Sequence, residues 1–122
     1  MSRTTFCFTL LLALVTTACS VASPPSPFIN AEPEVGSVQT RLPRQLRLYF
    51  EQLPDVSQSS VTLTGPNGEL NLRGLHTMGA NDLMMEIYDE VVDGQYTVQW
   101  QTSVGDDPNL YSGGYSFTVQ AE

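Results

Sequence analysis

The sequence predicts an all-β domain, a two-sheet sandwich of about seven short strands. Three observations carry that expectation. No stretch beyond Pro27 sustains helical periodicity, whereas short runs alternate apolar and polar residues. Gly, Pro, Asn and Asp punctuate these runs. Hydrophobic residues make up 41% of the 122 positions and charged residues only 15%, which supplies one core and excludes a disordered chain.

The first element is an address rather than part of the fold. Residues 1–5 carry Arg3, and an apolar stretch follows over 6–15. A membrane-spanning helix needs about 20 apolar residues, so this shorter run reads as a secretory signal. Two processing routes fit. Ser20-Val21-Ala22 has the small-x-small pattern of ordinary cleavage, giving a signal over 1–22 and a mature domain over 23–122. Val15-Thr16-Thr17-Ala18-Cys19 is similar to a loose lipobox, in which the signal ends before Cys19 and Cys19 carries lipid. A Ser/Pro-rich tether, 20–27, follows. Cys7 lies inside the signal and Cys19 at its end, so no cysteine remains for an internal disulfide.

The strands are expected as follows. Residues 28–32 form the first, and Glu34-Val35-Gly36-Ser37 is a turn. In 46–50, Leu46, Leu48 and Phe50 share one face, with Arg47 and Tyr49 on the other. Residues 61–64 lead into Gly65-Pro66-Asn67-Gly68, a hairpin signal, and 69–73 return. Residues 83–88 form another strand, Asp93-Gly94 a turn, and 95–102 a strand with Tyr96, Val98 and Trp100 on one face. Residues 115–119 close the domain. The expected core is Leu46, Leu48, Phe50, Val61, Leu63, Leu83, Tyr96, Val98, Trp100, Tyr115, Phe117 and Val119.

Charge and residue inventory exclude several functions. Acids outnumber bases 13 to 5 and the net charge is −8, so no cationic footprint for nucleic acid exists. One His without a Cys-x-x-Cys pair excludes a His/Cys zinc site. No Gly-x-Ser-x-Gly elbow accompanies His76, and nothing beside the paired acids Asp106 and Asp107 could act as nucleophile, so no enzyme is expected. Those acids sit in a Gly/Pro/Asn-rich loop, where carboxylates serve turns and solubility. Asp89-Glu90-Val91-Val92-Asp93 reads as a solvated turn.

Several strings together resemble a known family. Pro33-Glu34-Val35-Gly36-Ser37, then Leu42-Pro43 and Leu46-Arg47-Leu48-Tyr49-Phe50, are similar to the opening of CopC-type periplasmic copper-resistance proteins. Ser60-Val61-Thr62-Leu63-Thr64-Gly65-Pro66-Asn67-Gly68 is similar to their next strand and hairpin. Asp93-Gly94-Gln95-Tyr96-Thr97-Val98-Gln99-Trp100 and Ser112-Gly113-Gly114-Tyr115-Ser116-Phe117-Thr118-Val119 are similar to their last two strands. The resemblance implies a seven-stranded Ig-like Greek-key β-sandwich, a periplasmic location, and copper binding in copper homeostasis or resistance. It implies copper ions or a copper-transport membrane protein as partners; the membrane itself would be reached only through the lipid anchor of the Cys19 route.

The family's copper ligands transfer poorly. Its N-terminal His, which chelates through amine and imidazole, falls on Pro25, and its second His, within Asp-x-His-Pro, falls on Asp107 of Gly105-Asp106-Asp107-Pro108. Its acid after the Phe strand falls on Gln52, beside Glu51. Its Met- and His-rich Cu(I) loop is here the short Gly65-Pro66-Asn67-Gly68 turn. The remaining candidates are His76, Met78, Asp106 and Asp107. In an extended segment His76 and Met78 point to one side, and imidazole with thioether suits Cu(I). Met84 and Met85 lie downstream. The plainer alternatives are an exposed loop His beside a gap-filling Met, and a metal-free structural or protein-interaction module.

Overall fold

The computed structural model describes residues 26–122. The signal over 1–22, Cys19 and Pro25 lie outside the described residues. Among these, nine strands form two sheets around one core: β1 (Phe28–Glu32), β2 (Val38–Gln39), β3 (Gln45–Phe50), β4 (Ser60–Gly65), β5 (Gly68–Leu70), β6 (Leu72–His76), β7 (Asp82–Ile87), β8 (Gly94–Thr102) and β9 (Tyr111–Val119). One sheet has the order β1-β3-β7-β6, the other β2-β9-β8-β4-β5. All pairings between these strands are antiparallel except β2 with β9. A single 3₁₀ turn, Val56–Gln58, is the helical element among the described residues, and no helix there is long and apolar enough to cross a membrane.

Period-two patterning sets which side chains go in. Leu46, Leu48 and Phe50 of β3 are buried and Arg47 and Tyr49 are half-buried on the opposite face. On β8, Tyr96, Val98 and Trp100 enter the core beside Thr102, with Gln95, Thr97, Gln99 and Gln101 turned out. Eleven of the twelve expected core residues are buried; Val61 is half-buried against the cluster. Ala31, Met85, Val91 and Val104 join the core as well. Val91 corrects the reading of 89–93 as wholly solvated. Tyr96 explains why: its hydroxyl donates to the Val92 carbonyl at 2.7 Å and accepts from the Val92 N–H at 2.9 Å. A tyrosine hydroxyl tied to backbone a few residues upstream is a corner device of Ig-type sandwiches.

The strand count departs from seven in two places, and two strand ends move. The expected return strand 69–73 is two strands in different sheets. β5 pairs with β4, the chain crosses at Asn71, and β6 pairs with β7. Leu70 and Leu72 keep the same alternation across the crossing, so periodicity shows no break there. β2 has only two residues, too few to give a periodic signal. The closing strand starts at Tyr111, four residues before the expected start at 115, and includes Ser112-Gly113-Gly114. Position 113 takes glycine because the Trp100 indole of the paired strand lies over it: a Cβ there would meet the ring at 2.7 Å. β7 ends at Ile87, and Tyr88 is exposed under the Arg73 guanidinium, 4.0 Å from its ring centroid.

Candidate metal site

The sequence-derived candidates lie at the end of β6 and in two loops at one end of the sandwich. β3 finishes there at Phe50, and the following segment is held from both sides. The Phe50 N–H donates to the Asn81 carbonyl at 2.8 Å, the Asp55 N–H to the Ser103 carbonyl at 2.9 Å, and the Gly105 N–H to the Leu53 carbonyl at 2.9 Å. His76 and Met78 border the β6–β7 loop on one side of this segment. Asp106 and Asp107 occupy the β8–β9 loop on the other.

The β8–β9 loop uses its acid internally. Asp107 Oδ1 accepts from the Asn109 N–H at 2.9 Å, and Oδ2 accepts from the Tyr111 hydroxyl. The Tyr111 bond and then the Asn109 N–H hold the Asp107 carboxyl below its ordinary value, so it is ionised at neutral pH. Asp106 is exposed. No group of three His, Cys, Asp or Glu side chains able to hold a metal forms among the described residues. Cu(II) favours a tetragonal set of nitrogen and oxygen donors, and these residues do not assemble one.

The β6–β7 loop is built on a buried carboxylate. Asp82 is 0% exposed. Its Oδ1 accepts from the Thr77 hydroxyl and the Met78 N–H, both at 3.0 Å, and from the Ala80 N–H at 3.3 Å. Its Oδ2 takes the Arg47 Nε–H at 2.8 Å, and that guanidinium also lies 5.0 Å over the Tyr49 ring. Burial pushes the Asp82 carboxyl up, but the bonds from Thr77, Met78, Arg47 and Ala80 outweigh it and hold the group below the ordinary range. A single Asp therefore shapes the loop that presents Met78.

On the strand itself, His76 is exposed and stands opposite Met84 of β7. The His76 Nδ1 contacts the Gly74 carbonyl. Met78 is 60% exposed. Asp82 and Met84 were not among the sequence candidates. The alternation Leu83-Met84-Met85 was the available signal for Met84, since burial of its two neighbours turns it to the outer face. For Asp82, an acid just after Gly79-Ala80-Asn81 reads as turn chemistry, and nothing local marks it as buried.

The model of the CopC domain matches residues 28–120, which takes in every strand. The chain belongs to the CopC domain family. Solved structures agree on the fold of this CopC domain. The crystal structure of PcoC, a methionine rich copper resistance protein from Escherichia coli, superposes with a TM-score of 0.70 at 20% identity, over 80% of this chain and 100% of that one. Its selenomethionine form gives 0.68 at 21% identity, over 80% and 100%. CopC from Methylosinus trichosporium OB3b gives 0.67 at 21% identity, over 80% and 95%. No curated protein sequence matches the chain.

Proposed function

We propose that this CopC domain is exported and binds copper outside the cytoplasm, in copper homeostasis or resistance, without catalysing a reaction. The family match over residues 28–120 carries the reading. The candidate donors are His76, Met78, Asp106 and Asp107, with the soft pair, His76 and Met78, dominating. Copper ions are the cargo, and a copper-transport membrane protein is the partner that delivers or receives them.

Cu(II) uptake is expected to be weak. Cu(II) gains most from imidazole and amine nitrogens, and the β8–β9 loop offers only carboxylates, one of them already bonded at both oxygens. Calorimetric titration of the mature, tag-free domain with Cu(II), and under reducing conditions with Cu(I), tests this. Cu(I) should bind more tightly, and His76→Ala should weaken it. Tight stoichiometric Cu(II) binding that survives His76→Ala would contradict the reading.

The charged, then apolar, N-terminus supports export, and membership of the CopC family supports a periplasmic location. Cys19 decides between an anchored and a free form. Labelled fatty acid should enter the wild type and be lost in Cys19→Ala. A mature form that begins at Ser23 and carries no label would establish the soluble route instead.

A further inference from the structure

β6 and β7 run antiparallel, and their register sets His76 against Met84. Residues directly opposite on antiparallel strands project to the same face with Cβ atoms about 4.5–5.5 Å apart. Leu83 at 0% and Met85 at 1% exposure face the core, so Met84 faces outward, half-buried, on the face it shares with His76. Met78 follows His76 by two residues, with its backbone N–H fixed to Asp82.

The ring itself is oriented. With its proton on Nδ1, the ring would donate to the Gly74 carbonyl that it contacts and leave Nε2 open to a metal. Metal-bound imidazoles show this arrangement, in which the second nitrogen donates to a carbonyl that fixes tautomer and ring plane. Gly74 has φ +71° within the bulge between Arg73 and His76, a conformation that glycine adopts without a Cβ penalty. Hard donors near the site are already engaged. Both Asp82 oxygens accept hydrogen bonds within the loop and from Arg47, whose charge is paired there.

We propose that His76 Nε2 and the thioethers of Met84 and Met78 form a Cu(I) site on the outer face of the four-stranded sheet. Two sulfurs and one imidazole make a soft donor set that selects Cu(I) over Cu(II). The proposal rests on the copper-binding reading above and specifies the ion and its ligands. Met84 is the ligand that defines it, since the strand register alone brings it to His76.

The test is anaerobic competition for Cu(I) between a colorimetric chelator and the full mature domain, as wild type, His76→Gln, Met78→Leu, Met84→Leu and Glu69→Gln. Met→Leu nearly conserves volume, and urea unfolding of each variant checks that the fold is retained. His76→Gln and Met84→Leu should each weaken Cu(I) binding by about tenfold or more, Met78→Leu should weaken it, and Glu69→Gln, an exposed acid of the other sheet, should leave it unchanged. Wild-type Cu(I) affinity retained in both His76→Gln and Met84→Leu overturns this site while leaving the copper-binding reading intact. A wild type that takes up neither Cu(I) nor Cu(II) overturns both.

Discussion

Trp100→Ala is expected to bring the domain to the edge of unfolding. Trp100 is 4% exposed at the centre of the aromatic cluster. It stacks on Phe28, with ring centroids 5.5 Å apart, and meets Phe50 edge to face at 5.3 Å. Gly113 lies beneath it and has no side chain to fill that side of the hole. Truncating a buried Trp costs ~3–5 kcal/mol, against a total stability of ~5–15 kcal/mol for a typical domain. Urea denaturation followed by circular dichroism reads the effect. A loss below about 1 kcal/mol would mean that the two sheets do not depend on this ring for their packing.

Asp82→Ala is expected to be comparably severe, for a different reason. It removes one buried carboxylate and leaves the Thr77 hydroxyl, the Met78 and Ala80 N–H groups and the Arg47 guanidinium without their shared acceptor. Breaking a buried charge pair by deleting one partner costs ~3–5 kcal/mol. Arg47 keeps some water contact, at 27% side-chain exposure, which puts the expected loss toward the lower end of that range. The carboxyl also gives a pH signature in the metal-free domain. Its folded-state pKa is depressed, so its contribution is complete above the unfolded-chain value of about 3.9 and is lost as pH falls through the lower folded value. Wild-type stability should therefore fall below about pH 4, and Asp82→Asn should show a shallower fall over the same interval. Equal acid sensitivity in the two proteins would remove Asp82 from the account of loop stability.

Much of the fold was legible because burial here follows a period of two. The runs Leu46-Arg47-Leu48-Tyr49-Phe50 and Tyr96-Thr97-Val98-Gln99-Trp100 state which face goes in, and the structure buries those faces. What stayed hidden is set by contacts distant in sequence. At Asn71 the chain changes sheets with no change in pattern, because Leu70 and Leu72 pack on the same core from two different sheets. Gly113 falls outside the strand that alternation marks, 115–119, and belongs to it only once Trp100 of the neighbouring strand is placed over it. The candidate metal residues were legible as residue types but not as an arrangement. His76 and Met78 were named from their i, i+2 spacing, whereas Met84 reaches His76 only through the β6–β7 register. Asp82 looked like one more surface acid, in a chain with 13 acids to 5 bases, until its hydrogen bonds could be counted.

This CopC domain is expected to bind copper through soft donors rather than through the nitrogen and oxygen set that Cu(II) favours. X-ray absorption at the copper edge of the Cu(I)-loaded mature domain tests it most directly. The predicted coordination shell contains sulfur together with an imidazole nitrogen, and the sulfur contribution falls in Met84→Leu. A shell of nitrogen and oxygen alone, unchanged in that variant, would contradict the claim.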